Sequence, residues 1–557
     1  MNAVVLLLIW SLPLSLAVFA GQRHARWSPV IAPLPALLAA ATLPVGTSVS
    51  LPWLLLGVEL GVDDTARVFL GFSGLLWLAA SLYAAASEAG DRDATRFRVF
   101  FLLAMSGNLG LIVAQDMVSF YLGFTLMGLA VYGLVAHPPS RQARQAAKHY
   151  LAWTIAGELL LFVAVVMLVA QNEGATAFEV LTVTPPADLV VLLLVIGFGI
   201  KLALPGLHFW LPRAYAVTPA PAVAVLSGAM IKAGLLGWLR FLPPGGAALT
   251  GWGQALMVVG VAGALFGAIV GLQQRRARLL LGYSSISKMG VLTAGMGAAL
   301  TWPVAAPALI GALAVYAAHH ALVKGALFLG LGLVERGGLR PWVLAGLGFL
   351  ALALAGAPLT SGALAKSVLT ASLPAQAQPL LLLLSVSAFA TTLLMARFLF
   401  LVWKPLGSVA LRPALQAAAA WLALLALVAV FPFALADIGR ITGNAAPVLL
   451  GALVAALGVL AAVGLGSRGS IPRRRPVAPP PAVRARRWMR RTICVAQAVT
   501  GALRSVWQSA SQQVWPALGH RWLQRRPSDD DANHWPLAGS LWLGIGGLLL
   551  AALGLAA

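Results

Sequence analysis

The sequence predicts an all-α membrane protein with about 16 transmembrane helices, two inverted five-helix repeats that contain broken helices, and a cytoplasmic amphipathic surface helix. Three observations predict it. Of 557 residues, 60% are hydrophobic and 10% charged, unlike a soluble globular chain. Apolar stretches of about 20 residues recur along the chain. Basic and neutral or acidic connections alternate between these stretches, as the positive-inside rule requires.

The predicted spans are the apolar stretches that are long enough to cross a membrane. They lie near residues 3–20, 30–46, 66–87, 97–114, 117–136, 146–170, 188–212, 217–241, 252–272, 278–299, 304–334, 342–373, 379–403, 414–435, 447–466 and 536–557. No small-residue cleavage site follows the first span, so it is expected to remain a helix and not to act as a signal peptide. Residues 51–65 are too short and too acidic to span, and are expected to form a hairpin outside the membrane.

The formal net charge of +22 reflects arginine in alternate connections. We therefore predict a multi-pass protein of a bacterial-type inner (plasma) membrane, with both termini on the non-cytoplasmic side. Because the basic residues serve topology, nucleic-acid binding is not expected. The single Cys494 excludes an internal disulfide framework and a multi-cysteine metal site.

Glu158 is the one acidic residue deep inside an apolar run. Asp116, by contrast, falls in the brief turn between the fourth and fifth spans and is expected at the membrane interface. A carboxylate at membrane depth is costly unless it is neutralised or paired. Glu158 could be a protonated acid that forms a hydrogen bond between helices. A role in taking up and releasing protons is favoured, because lysines occupy comparable positions.

Five of the seven lysines lie within apolar runs, whereas arginine supplies most of the other positive charge. Arginine stays protonated in proteins, but a buried lysine can release its proton. This segregation indicates a titrating role for the five lysines, with snorkelling to the interface as the alternative for Lys288. They are Lys201, Lys232, Lys288, Lys324 and Lys366.

Two of these lysines lie beside predicted helix breaks. Pro205 follows Lys201 by four residues, and Pro358, in the run Ala-Pro-Leu-Thr-Ser-Gly at 357–362, precedes Lys366. A proline inside a helix removes a backbone donor and kinks or breaks it. The two breaks fall about five spans apart, which predicts two inverted five-helix halves at 97–241 and 252–403.

Further polar side chains accompany the lysines of the tenth and eleventh spans. Ser285 lies close to Lys288, and His320 shares a helical face with Lys324. His320 is expected to relay a proton between lysines, since histidine titrates near neutrality. Adjacent His319 raises the alternative of a metal site, which is disfavoured because neighbouring residues on a helix point about 100° apart.

The remaining chain divides into flanking regions by composition. Residues 1–96 and 414–466 are predicted transmembrane helices, 467–535 a basic linker followed by an amphipathic helix, and 536–557 a final span. The amphipathic helix could brace neighbouring subunits or simply face lipid.

Several motifs together resemble the antiporter-like subunits of respiratory complex I, whose relatives occur in multisubunit sodium/proton antiporters and membrane-bound hydrogenases. The resemblance covers about 97–404. Its motifs are GIKLALPGLHFWLPRAYAVTPAPAVAVLSGAMIKAG from Gly199, RLLLGYSSIS from Arg278, AHHALVKGALFLG from Ala318, and the Pro-Leu-Thr-Ser-Gly run that leads to Lys366.

The resemblance implies a proton half-channel in each half. Lys201 would titrate beside Lys232, His320 and Lys324 would bridge the halves, and Lys366 would end the second channel. The family's fifth-helix glutamate corresponds here to Thr125, which carries no charge. Glu158 falls where the distal complex I subunit has a carboxylate and could take over that partnership. The tail is similar to the lateral helix of that subunit.

The expected function is proton translocation within a complex I-like, hydrogenase or cation/proton antiporter assembly. No redox or hydrolytic site and no cofactor are expected on this chain, so redox chemistry would belong to partners. The expected partners are other membrane subunits, the lipid bilayer and a cytoplasmic redox or uptake protein. The alternatives are an ion-coupled module that energises a cytoplasmic partner, such as an inorganic-carbon uptake protein, and a structural subunit with an inactive channel.

Overall fold

The computed structural model describes residues 2–22, 25–54, 57–87, 93–244, 249–337, 341–403, 415–435 and 446–467. Two compact units divide the chain, Met1–Leu457 and Gly458–Ala557, and the described side chains belong to the first. The predicted linker and surface helix at 467–535, apart from its first residue, and the predicted span at 536–557 lie outside the described residues.

The described residues form a helical protein with one small hairpin, as the sequence predicts. The helices are α1 Asn2–Val18, α2 Ser28–Ile31, α3 Leu34–Thr42, α4 Asp64–Ser87, α5 Ala94–Val113, α6 Met117–Val135, α7 Arg141–Gln171, α8 Val180–Val183, α9 Asp188–Leu202, α10 Trp210–Val217, α11 Ala220–Gly228, α12 Ala233–Phe241, α13 Thr250–Leu272, α14 Ala277–Thr301, α15 Ala306–Gly337, α16 Pro341–Ala355, α17 Ser361–Ala371, α18 Gln378–Trp403, α19 Leu415–Leu435 and α20 Ala446–Ser467. Within the described part, nine helical segments are long and apolar enough to cross a membrane. The count of about 16 crossings and the inverted relation of the halves stay predictions.

The expected hairpin is present, slightly earlier than the predicted 51–65. Strands β1 (Thr47–Leu51) and β2 (Val58–Val62) pair antiparallel. Asp116 fastens this hairpin to α6, because its Oδ1 accepts from Ser119 N at 2.7 Å while Oδ2 accepts from Glu59 N at 2.9 Å. Asp116 lies in the predicted turn, where it is buried and caps a helix.

Close packing between α13 and α14 positions the lysine-bearing helix α14. Three glycines seven residues apart, Gly253, Gly260 and Gly267, lie on the face of α13 that meets α14. A methyl group on Gly260 would overlap the backbone of Ala294. Small residues at such positions let two membrane helices approach closely, so this pair forms a tight support for the buried polar groups of α14.

An ion pair between Asp63, which lies outside the predicted spans, and Arg240 ties the end of β2 to the end of α12. Asp63 Oδ2 accepts a hydrogen bond from Arg240 Nη1, and Oδ1 accepts one from Ala66 N at 2.7 Å. Burial alone would raise the pKa of Asp63, but the charge of Arg240 and these hydrogen bonds hold that pKa below its usual range.

Replacing Asp63 by asparagine (Asp63→Asn) is expected to lower the melting temperature, because mostly buried Arg240 loses its counter-charge. The carboxyl has a lower pKa in the folded than in the unfolded chain. The stability that the ionised Asp63 carboxyl group gives the folded chain is therefore complete above the ordinary carboxyl pKa. It is lost as the pH falls through the lowered pKa of the folded chain. Thermal unfolding should show a constant difference from wild type near neutrality that shrinks below about pH 4.

The exposed Glu179 supplies the control, since Glu179→Gln should leave the melting temperature unchanged at every pH. An Asp63→Asn difference that is equally large at acidic and neutral pH would contradict the assignment.

Candidate functional site

The seventh predicted span breaks beside its lysine, as the sequence predicts. Helix α9 ends one residue after Lys201, and Ala203 adopts the left-handed conformation with φ 55°. The Trp210 indole Nε1 donates to the freed carbonyl of Ile200 at 2.8 Å. An interrupted helix is tolerated in a bilayer where the protein satisfies the freed backbone groups, so this break is a built feature of the bundle.

Lys201 lies in an aromatic pocket between α6 and α7 and is 5% exposed. Its Nζ donates to the Tyr150 hydroxyl at 3.4 Å and lies 5.3 Å from the centroid of the Phe124 ring. Tyr150 in turn donates to the carbonyl oxygen of Gly128 at 3.0 Å. Through these two hydrogen bonds, Tyr150 connects the lysine to the backbone of α6. The faces of the two aromatic rings also favour a cation at this position.

Glu158 lies on α7 two turns after Tyr150 and is 6% exposed. Its carboxyl group and the ammonium of Lys201 interact electrostatically. Among the described residues, Glu158 Oε1 has no hydrogen-bond partner. The structure thus brings the two predicted residues together as neighbours.

Gly128 provides the space for this carboxyl group. A methyl group at position 128 would overlap Glu158 Oε1 and would lie 3.0 Å from Thr154 Cγ2. The absence of a side chain on α6 therefore allows the carboxyl group of α7 to lie beside the backbone that Tyr150 contacts.

Gly128→Ala is expected to displace the Glu158 carboxyl group and to slow any proton transport that depends on it by about tenfold. Proton flux in proteoliposomes checks this result. Gly311→Ala is the matched control on α15, because a methyl group there meets nothing within 4 Å. Equal flux in the two variants would show that the position of the carboxyl group is unimportant.

The eighth span is interrupted at Lys232, which the sequence does not predict. Helices α11 and α12 are joined by a 3₁₀ turn at Met230–Lys232. The fully buried Lys232 donates from Nζ to the Ser227 carbonyl at 2.8 Å. Such a turn within a helix often marks a functional position. The charged neighbour that acts on Lys232 is Lys324, whereas Glu158 acts on Lys201.

His320 lies among lysines on α15, where sequence reasoning places it. It is 0% exposed, and neither ring nitrogen has a hydrogen-bond partner among the described residues. Its charged neighbours include Lys232, Lys324 and Lys288. Lys324 is also fully buried and donates to the carbonyl of Leu281 at 2.7 Å. His320 therefore lies at the centre of a cluster of cationic side chains.

His319 faces a different partner, since its Nδ1 lies 2.9 Å from the Ser361 hydroxyl. Among the described residues, no group of three His, Cys, Asp or Glu side chains is arranged to hold a metal ion.

The second predicted break separates α16 from α17. Gly356 (φ 83°) and Leu359 (φ 62°) adopt left-handed conformations there, and the partly buried Lys366 donates from Nζ to the carbonyl of Ala355. Pro358 is exposed within the connecting segment. Lys288 is 2% exposed, so it does not snorkel to a surface as the alternative proposed.

The supporting residues fall into different environments. Ser285 is buried and donates to the carbonyl of Leu281 at 3.2 Å, while Pro205 packs beside Gly263 of α13. Thr125 lies on α6 next to Phe124, and its hydroxyl is buried without a partner in the described part of the chain.

Sequence reasoning missed Tyr150, Gly128 and Ser361. The eight-residue separation, about two helical turns, places Tyr150 and Glu158 on one face of α7 and could have identified the tyrosine.

Comparisons with known proteins agree with the resemblance read from the motifs. A family model described as NADH:quinone oxidoreductase/Mrp antiporter, TM, matches residues 114–392, half of the chain. NADH-quinone oxidoreductase subunit N of Desulforudis audaxviator is 33% identical over 288 residues, which cover 50% of this chain and 56% of the relative. Hydrogenase-4 component B of Escherichia coli is 29% identical over 293 residues, which cover 50% and 43%. The chain spans about half the length of these curated relatives.

Solved structures show a similar fold. The Mrp complex from Dietzia sp. DQ12-45-1b contains a chain with a TM-score of 0.66 and 25% identity, covering 94% of this chain and 61% of that one. A chain of an archaeal membrane-bound sulfane sulfur reductase has a TM-score of 0.67 and 21% identity, covering 98% and 100%. The second likeness concerns the fold alone.

Proposed function

This chain belongs to the NADH:quinone oxidoreductase/Mrp antiporter transmembrane family, and on that premise we propose that it translocates protons as one subunit of a multisubunit membrane assembly. It is a multi-pass membrane protein with an antiporter-like fold. Its relatives include subunits of a quinone oxidoreductase and of a hydrogenase, so other membrane subunits and a cytoplasmic redox or uptake protein are the proposed partners.

The observation that carries the proposal is the placement of Glu158 against Lys201 beside the break that follows α9. A carboxyl group and an amine that interact in a buried site change protonation state together, because the charge of each depends on the other. The Tyr150 hydroxyl, 3.4 Å from Lys201 Nζ, offers a further polar group at this point. A proton that arrives at one group is thereby passed to the other.

The proposed route continues through the cationic cluster of the second half. Lys232, Lys324 and His320 are buried electrostatic neighbours, and Lys288 acts on both Lys324 and Lys366. Intramembrane ionisable groups of this kind commonly mark an ion pathway. We propose that the proton leaves near Lys366, that the two halves are inverted repeats and that both termini are non-cytoplasmic.

Reconstitution of the full chain with its co-purifying subunits tests this function. Proteoliposomes with an imposed membrane potential and an internal pH-sensitive dye should acidify faster than protein-free liposomes, in the presence and absence of sodium. Acidification that occurs only with sodium would show that protons move in exchange for sodium ions. Rates equal to those of protein-free liposomes would favour a structural subunit with an inactive channel.

A further inference from the structure

A cavity of about 110 Å³ lies among α14, α15, α17 and α18. Two lysines line it, Lys288 from α14 and Lys366 from α17, together with the hydroxyl-bearing side chains of Tyr316, Ser385 and Ser387. A cavity of this size, with these polar groups among its apolar lining, accommodates several water molecules or one small ion. It lies apart from the pocket of Lys201 and Glu158, whose residues are not among its lining.

The charges around this cavity are of one sign. No acidic residue lines it, and the charge of Lys288 acts on Lys366. The other titratable groups that face these lysines from neighbouring elements are Lys324 and the imidazoles of His319 and His320. The buried ammonium group of Lys288 beside the partly buried one of Lys366, without a counter-charge, is unfavourable, because desolvation and mutual repulsion add. No side chain that lines the cavity supplies a negative charge.

Some hydrogen-bond donors that line the cavity have no acceptor among the described residues. Lys288 Nζ makes no hydrogen bond to any described residue, and Ser387, which is 2% exposed, has an Oγ without a partner in the described part of the chain. Lys366 uses one of its three protons on the Ala355 carbonyl. N–H groups of Lys288 and Lys366 and the Ser387 hydroxyl thus remain available toward the same cavity.

We propose that this cavity binds a small monovalent inorganic anion of about chloride size between Lys288 and Lys366. The anion accepts hydrogen bonds from both ammonium groups and from the Ser387 hydroxyl, and it supplies the negative charge that no side chain of the cavity provides. The anion shares Lys288 and Lys366 with the proposed proton route, but its binding can be measured without transport, so failure of the one proposal is distinguishable from failure of the other.

Halide-dependent stability of the purified full chain tests the site. The melting temperature should rise as sodium gluconate is replaced by sodium chloride at constant ionic strength, because a ligand that binds the folded state stabilises it by mass action. Lys288→Met and Lys366→Met should each weaken the apparent chloride affinity by at least about tenfold. Lys201→Met is the matched control, since it removes an equally buried lysine outside the cavity and should retain the chloride response.

A melting temperature that is insensitive to chloride in the wild type, or a chloride response unchanged by both cavity variants, would overturn the proposal. Bromide anomalous scattering from wild-type crystals gives a second readout that does not depend on the variants folding. A bromide peak between Lys288 and Lys366 is expected. An ordered wild-type cavity without such a peak in saturating bromide would likewise overturn the site.

Discussion

Proton flux through the reconstituted protein is expected to fall by about a hundredfold when Glu158 is replaced by glutamine (Glu158→Gln). The amide matches the shape of the carboxyl group and fits the same space beside Gly128, so the fold should persist. It cannot take up and release a proton in the pH range of transport, and it presents no charge to Lys201. Dye-monitored acidification of proteoliposomes measures the loss.

The matched control for this variant is Glu179→Gln, which makes the same chemical change at an exposed residue between α7 and α9. It should transport as fast as wild type. A melting temperature close to that of wild type would show that Glu158→Gln is folded. Wild-type flux in Glu158→Gln would assign Glu158 to a purely structural role as a protonated acid between helices.

Lys201→Ala is expected to abolish flux to a similar extent, because it removes the titrating amine at the break of the seventh span. Lys201→Arg separates charge from proton release, since arginine keeps the positive charge but stays protonated. We expect Lys201→Arg to be inactive as well, measured by the same acidification assay.

Lys148 offers the control for these lysine variants, because it is exposed at the start of α7. Lys148→Ala and Lys148→Arg should leave flux unchanged. Retained flux in Lys201→Arg would mean that a fixed positive charge suffices at position 201, and the proposed proton exchange between Glu158 and Lys201 would then be wrong.

Much of the candidate site could be predicted, because a charged residue stands out within an apolar stretch of sequence. A lysine or glutamate there has few possible explanations, so Lys201, Lys324 and Glu158 are identifiable from their positions in the sequence. Proline likewise marks the break after Lys201 directly in the sequence. The family was predictable for the same reason, since its motifs combine these residue types at fixed spacing, and the matching family model confirms it.

The remaining features depend on packing that one sequence does not encode locally. The 3₁₀ turn at Lys232 contains no proline or glycine and arises where the lysine reaches the Ser227 carbonyl. Gly128 is one of 57 glycines, and its importance appears only when α7 lies against α6. Ser387 likewise carries no sequence signal, because its hydroxyl matters only through the cavity that α18 forms with α14.

We propose that Glu158 on α7 takes over the role of the carboxylate that, by the resemblance, corresponds to Thr125 on α6. Moving the carboxyl group from position 158 to position 125 tests this proposal, through the proton flux of Glu158→Gln and of the double variant Thr125→Glu with Glu158→Gln. We expect the single variant to be inactive and the double variant to regain a substantial part of wild-type flux. Wild-type flux in the single variant, or a double variant as inactive as the single one, would contradict it.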